Sequence, residues 1–270
     1  MSTLPRLLLG SLLLRPYVYA FFALHLTGAS ALFGWPRAAA LTLITWGVAF
    51  VAEASSIRTG IPFGWYYYVP ATADRELWIA GVPLFDSLSF PFLLASSYGL
   101  AWLLLSEKGA HAPRMDTQER LRPPRLAHLA LTTCLFVLAD VVIDPVALRG
   151  NRWFLGQIYG YPEPGGYFGV PLANFIGWGV VGAVSTSLFH GWERRRPEQR
   201  AAVFRGRALL CPVLYFIVLA FNLAVTFVLR EWWLGVCGLT LTVPIVAWTV
   251  RAWTGPEAVW VRPRGEGVPS

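Results

Sequence analysis

Two carboxylates, Asp140 and Asp144, stand four residues apart in the stretch ADVVIDP, which closes a long apolar segment. This spacing places both side chains on one face of a helix, about one turn apart. An ionisable side chain at the centre of a membrane costs at least about 2.5 kcal/mol, so its presence there is a functional hypothesis by default. Glu53 and Asp86 occupy similar positions in two other apolar segments.

Acids placed in this way can donate protons. A carboxylic acid in an apolar pocket stays protonated at neutral pH, and a neighbouring carboxylate strengthens this effect. It can then protonate a weak base such as a hydrocarbon double bond. Aromatic faces stabilise the resulting carbocation, and the chain has 13 Trp, 10 Tyr and 17 Phe. The pattern indicates acid catalysis on an unsaturated hydrocarbon, with Asp140, Asp144 and Glu53 as catalytic candidates.

Structural roles for the same acids remain open. Asp144 could pair with Arg149 or Arg152 at the membrane interface, where Pro145 is expected to end the helix. Glu53 could likewise form an ion pair at its helix end.

Other polar residues add to the candidate site. Arg58 is the basic residue within reach of Glu53. Asn174 and Trp178, four residues apart, share a helix face, and Asn174 could position a water or bond to a neighbouring helix. Asp86 has no evident counterpart elsewhere in the chain and is the weakest of the four acids.

The composition indicates what positions these residues. The chain is 56% hydrophobic and 14% charged, against about 25% charged in soluble proteins. A spanning helix needs roughly 20 mostly apolar residues. Seven such runs are present, at 17–35, 38–54, 84–105, 126–143, 173–192, 208–229 and 233–251. The sequence therefore predicts an all-α, polytopic membrane helix bundle forming one domain over 1–270, with a further short helix at 7–14 that Arg15 interrupts.

The charges predict how the bundle is oriented. Lys and Arg concentrate in alternate connections, chiefly 106–125 and 194–207, which favours a cytoplasmic position for both. The expected location is the inner membrane, with the N-terminus outside. The net charge of +7 is explained by contact of this basic fringe with anionic lipids, and no nucleic-acid partner is expected.

Two long connections, 55–83 and 144–172, are rich in aromatic residues, Gly and Pro. Each follows an acid at a helix end and leads to a Gly-Val-Pro at the next helix start, which suggests a parallel repeat of 44–105 and 131–192. Irregular backbone at membrane depth requires protein or a water-lined cavity around it, so two such loops imply a pocket. The predicted substrate-binding residues are Phe63, Trp65, Tyr66, Trp153, Tyr167, Phe168, Asn174 and Trp178, although an interfacial aromatic belt explains part of this set.

Several classes of chemistry lack their motifs. The four His residues form no cluster of the kind that holds two iron atoms, and no other metal site is predicted. Neither a Gly-rich dinucleotide fingerprint nor a phosphate loop is present. The chemistry that remains is free of cofactors.

The ordered set of motifs over about 44–192 resembles the membrane carotenoid-biosynthesis proteins that include the CruF-type carotenoid 1′,2′-hydratases and the archaeal bisanhydrobacterioruberin hydratases. The matching segments are Glu53 with Thr59-Gly60, Phe63-Gly64-Trp65-Tyr66-Tyr67, Gly81-Val82-Pro83, Asp140 to Pro145, Trp153, Tyr167 to Pro171 and Asn174 to Trp178.

The resemblance implies hydration of the terminal C1′=C2′ double bond of an acyclic carotenoid end group, in lycopene, γ-carotene or a derivative, to give a tertiary alcohol. In this scheme Asp140 protonates C2′. Asp144 or Glu53 then accepts a proton from the water that adds to C1′, and Asn174 helps to hold this water.

Two other functions stay open. A carotenoid cyclase would let an internal double bond attack the same cation, giving a ring. A transporter or pigment-binding protein would bind a lipid or carotenoid without turnover and use the acids for ion coupling or structure.

Overall fold

The computed structural model describes residues 4–106, 119–199 and 201–254, most of which are helical. The helices are α1 (Leu4–Leu14), α2 (Pro16–Phe33), α3 (Trp35–Thr59), α4 (Leu84–Ser87), α5 (Ser89–Leu105), α6 (Arg125–Ala147), α7 (Leu172–Glu193), α8 (Leu210–Val228) and α9 (Trp232–Thr254). The short strands are β1 (Tyr67–Tyr68), β2 (Trp78–Ile79), β3 (Val82–Pro83), β4 (Glu119–Leu121), β5 (Tyr159–Gly160) and β6 (Ala201–Val203).

Among the described residues, seven helical segments are long and apolar enough to cross a membrane, α4 and α5 forming one of them. They overlap all seven predicted runs, which confirms the polytopic helical fold class. The prediction that Pro145 ends its helix was wrong, because α6 continues to Ala147. A proline this close to a helix end removes only one hydrogen bond, so the last turn persists.

Helix α5 lies at the centre of the bundle, in contact with α2, α3, α6 and α8. Its sequence, SFPFLLASSYGLAWLLL, carries no charge and is apolar on every face, which suits a helix surrounded by other helices. Tyr98 and Trp102 on α5 are fully buried.

The two long loops meet at one end of the bundle. Strands β1 and β5 pair antiparallel, with Tyr67 opposite Gly160 and Tyr68 opposite Tyr159. The backbone N–H of Val69 also donates to the carbonyl of Ile158 at 2.7 Å. These bonds satisfy backbone groups of both irregular loops and hold them together above the helix ends.

The opposite end is closed by the two basic connections, whose strands β4 and β6 pair antiparallel. Residues 107–118 of the first connection lie outside the described residues. Glu193, at the end of α7, forms ion pairs with Arg37 of α3 and with Arg122. These contacts place both connections on the side of the bundle away from the aromatic loops.

Candidate active site

A cavity of about 150 Å³ lies beneath the paired loops. Glu53, Asp86, Asp140 and Asp144 all line it, from α3, α4 and α6. None of the described residues that line it is Lys, Arg or His. The remaining walls are mostly aromatic and aliphatic, so the acids face an apolar space.

Asp140, Asp144, Asn174, Tyr159 and Tyr161 form one hydrogen-bonded group, the Asp140 cluster. Asn174 Nδ2 donates to Oδ2 of Asp140 at 2.8 Å and to Oδ2 of Asp144 at 3.0 Å. The hydroxyl groups of Tyr159 and Tyr161 donate to the two oxygens of Asp144. Oδ1 of Asp140 has no hydrogen-bond partner among the described residues, although Asp140 is completely buried. Asp144 is thus held by three donors, while Asp140 keeps one oxygen free.

Glu53, Asp86, Tyr68 and Ser87 form a second group, the Glu53 cluster. The Tyr68 hydroxyl lies 2.8 Å from Oε1 of Glu53 and 2.6 Å from Oδ2 of Asp86. Ser87 donates to Oε2 of Glu53. The Tyr68 hydroxyl has a single hydrogen, so it can donate to only one of these two carboxyl groups. A proton on Glu53 or Asp86 would supply the hydrogen for the second short contact.

Tyr66 lies between the two clusters. Its hydroxyl donates to the Tyr68 hydroxyl at 3.4 Å, and its ring contacts those of Tyr159 and Tyr161 at centroid distances of 6.3 and 6.5 Å. A line of phenol groups therefore runs from one pair of acids towards the other.

The loop tyrosines are held in their protonated form. Burial, followed by the charges of Asp86 and Glu53, raises the pKa of Tyr68 well above its usual value. Burial, followed by the charge of Asp144, raises the pKa of Tyr159 and Tyr161 in the same way. These phenols therefore remain hydrogen-bond donors to the acids at any physiological pH.

Stacked aromatic rings form the floor of the cavity. Phe90 of α5 and Trp178 of α7 stack with ring centroids 4.3 Å apart and planes inclined by 15°. Phe136 of α6 contacts Trp178 at 4.6 Å. Phe63, from the first loop, packs against Phe90 at 6.0 Å. The acids thus share their cavity with several aromatic rings, which favours a positive charge developing there.

The structure assigns other partners to the nearby arginines. Arg149 and Arg152 both form ion pairs with Glu231, so neither pairs with Asp144 as the structural alternative required. Arg58 donates to the carbonyl oxygen of Ala54 in its own helix and to that of Ala80 in the first loop, and not to Glu53.

Most of the predicted binding residues line the cavity, namely Phe63, Tyr66, Trp153, Asn174 and Trp178. Three lie outside its lining. Trp65 is 58% exposed and covers Gly60 at the end of α3. Tyr167 and Phe168 pack against each other at 5.0 Å in the second loop.

Five residues of the clusters were given little or no weight from sequence: Tyr68, Asp86, Ser87, Tyr159 and Tyr161. Asp86 does have a counterpart, because it follows Pro83 by three residues as Asn174 follows Pro171. The tyrosines also carry a signal, since YYY at 66–68 and YGY at 159–161 place two tyrosines on one face of each strand.

Comparison with known proteins identifies a family to which the sequence is similar. The sequence matches the family model described as "Carotenoid biosynthesis protein" over residues 7–245. A bisanhydrobacterioruberin hydratase from Haloarcula japonica is 30% identical over 187 residues, which make up 68% of this chain and 52% of the relative. The chain thus spans about half the length of that relative. No solved structure matches the chain.

Proposed function

This chain belongs to the carotenoid biosynthesis protein family, and we propose that it adds water, without a cofactor, to the terminal C1′=C2′ double bond of an acyclic carotenoid end group. The product is a tertiary alcohol. The proposed substrate is lycopene, γ-carotene or a derivative, taken up by a multi-pass protein of the cytoplasmic membrane.

One observation carries this proposal: four carboxyl groups line an apolar, aromatic cavity in which none of the described lining residues is cationic. Carboxyl groups are seldom buried without partners, because desolvation of their charged form is expensive. Their concentration at one place is therefore better explained by proton transfer than by stability.

The two clusters suit the two proton transfers of a hydration. Asp140, with its unpaired Oδ1, donates a proton to C2′, which forms the new C–H bond and leaves a tertiary cation at C1′. The rings of Trp178 and Phe90 stabilise this cation. Water then forms the C–O bond at C1′ and releases a proton to the Glu53 cluster.

We propose that the same arrangement also returns a proton to Asp140 after each reaction. The line of phenols from Tyr68 through Tyr66 towards Tyr161 lies between the acid that gains a proton and the acid that loses one. A proton can return along it by exchange between hydroxyl groups or through water, so that no external acid is consumed.

The relative from Haloarcula japonica supports this choice, since it is named a hydratase. Its alignment covers 68% of this chain, which includes most of the described residues. An identity of 30% does not indicate that this chain acts on the same carotenoid as that relative.

The test is to express the chain in cells that accumulate lycopene and to identify the pigments by chromatography and mass spectrometry. Hydration predicts a product heavier than lycopene by one water molecule, with heavy oxygen incorporated from labelled water. An isomer of unchanged mass would instead identify a cyclase. Unchanged lycopene, bound to the purified protein, would identify a pigment-binding protein.

A further inference from the structure

The cavity extends beyond the acids to a different side of the bundle. Its lining continues from the Asp140 cluster to the first turns of α2 and the second half of α8. The residues on this side are Tyr17, Val18, Phe21, Val218, Phe221 and Asn222. Both helices are long and apolar enough to cross a membrane, and Tyr17, Phe21 and Phe221 on this side are half-buried, so the cavity lining reaches the outer part of the bundle here.

Three aromatic residues line this side of the cavity, namely Tyr17, Phe21 and Phe221, and Phe154 packs against two of them from outside the lining; we call these four rings the aromatic mouth. Phe154 contacts Tyr17 at 5.6 Å and Phe221 at 6.2 Å, and Phe221 contacts Phe21 at 6.4 Å. Phe154 is 67% exposed, whereas Tyr17, Phe21 and Phe221 are each half-buried. The rings therefore bridge the lipid-facing surface and the interior.

The other sides of the cavity are closed by packing. The stacked pair of Phe90 and Trp178 closes the floor, and the paired strands of the two loops cover the top. Helix α5, almost entirely buried, forms a wall.

The substrate sets a size requirement. Ligand pockets usually measure about 300–1,000 Å³, so a cavity of about 150 Å³ holds only the end of a long chain. The rest of the molecule must leave the cavity, and the aromatic mouth is the side that is both apolar and partly exposed.

We propose that the polyene chain of the substrate passes between α2 and α8 through the aromatic mouth, with its rigid conjugated part held between these rings and its end group at the Asp140 cluster. This inference rests on the proposed function. A planar, fully conjugated chain presents flat π faces and C–H edges, which suit the edge-to-face geometry of the surrounding rings.

The experiment is photo-crosslinking in membranes that contain lycopene. A benzophenone amino acid replaces Phe21 or Phe221, and Ala220 serves as the control because it is exposed, lies next to Phe221 and is absent from the cavity lining. Each preparation also carries Asp140→Asn, so that bound substrate accumulates. Adducts are identified by mass.

If the mouth binds the chain, polyene adducts at 21 and 221 are expected to exceed those at 220 by at least about tenfold, which corresponds to about 1.4 kcal/mol of preferential binding. Equal adducts at all three positions, or acyl-lipid adducts alone at 21 and 221, would overturn the inference.

A second experiment, on turnover, tests this inference independently of the proposed function. Phe221→Trp, which narrows the mouth, should slow turnover of lycopene about tenfold more than turnover of a short acyclic isoprenoid alkene, which does not extend through the mouth. Equal turnover of lycopene by the wild-type protein and Phe221→Trp would refute passage of the polyene chain through the mouth, without contradicting hydration. If the wild-type protein hydrates neither compound while the benzophenone-substituted protein still gives polyene adducts at 221, hydration is refuted and the binding site is retained.

Discussion

Phe90 and Trp178 stack with their ring centroids 4.3 Å apart and line the same cavity as the two acid clusters. Phe90 follows Pro83 by seven residues, and Trp178 follows Pro171 by seven. Equivalent positions of the two similar segments therefore meet at the floor of the cavity. The parallel repeat stays a prediction, but this pairing is the arrangement that it requires.

The floor should stabilise the carbocation. A desolvated cation–π contact contributes about 2 kcal/mol, so Trp178→Leu should lower turnover by roughly 30-fold. Trp178→Phe should retain most of the activity. The matched control is Trp233→Leu, at a residue that is 79% exposed on α9. Turnover of purified variants in detergent gives the comparison, and equal rates for Trp178→Leu and the control would contradict a role in stabilising charge.

The Glu53 cluster should accept the proton from water. Asp86→Asn removes one carboxylate from the contact with Tyr68, and loss of a general base usually costs about 10²–10⁴ in rate. Asp74→Asn is the control, because Asp74 lies in the same loop region with its side chain 82% exposed. If Asp86→Asn is as active as Asp74→Asn, the acceptor must be sought elsewhere in the cavity.

Close packing of the first loop on α7 should depend on Gly177. A Cβ atom at this position would lie 2.8 Å from the Cα of Phe63, so Gly177→Ala must displace the loop backbone. The expected cost is about 1–3 kcal/mol of stability, with a loss of activity. Gly179→Ala, whose Cβ would meet Val137 at an ordinary 3.7 Å, should be close to neutral. Thermal unfolding and turnover of both variants measure the difference.

Glu193 should anchor the end of the bundle opposite the site. It is 4% exposed and pairs with Arg37 and Arg122, so Glu193→Gln leaves two arginines without their carboxylate. Breaking a buried ion pair costs about 3–5 kcal/mol, which should lower the unfolding midpoint in detergent. Glu198→Gln, at an exposed position five residues later, is the control. Similar midpoints for the two variants would show that the ion pairs contribute little.

The fold was largely predictable from sequence, because a membrane imposes a simple rule on length and polarity. Each predicted run of about 20 apolar residues overlaps a helical segment that is long and apolar enough to cross a membrane. The central position of α5 could not be read from the hydropathy of a single run, since it depends on which helices pack around it. The continuation of α6 past Pro145 was missed because a proline is tolerated in the last turn.

The site was predictable only in part. Residues on one helix, such as Asp140 and Asp144, could be placed together from their spacing. The contacts of Tyr68 with Glu53 and of Tyr159 with Asp144 each fold a loop back, over 15 residues, onto the helix that precedes it. These folds depend on the irregular loop backbone and on the pairing of β1 with β5, which the spacing of residues on one helix does not predict. Arg149 and Arg152 were reasonable partners for Asp144 by proximity, but Glu231 binds both of them instead.

The most direct test of proton donation by Asp140 uses the purified protein with lycopene in water labelled with heavy oxygen. The wild-type protein and Glu163→Gln, which changes an exposed loop acid, should form the labelled tertiary alcohol at equal rates. Asp140→Asn should reduce this rate by about 10²–10⁴ while lycopene remains bound, because the amide cannot protonate the double bond. Formation of labelled alcohol by Asp140→Asn at the wild-type rate would contradict the proposed mechanism.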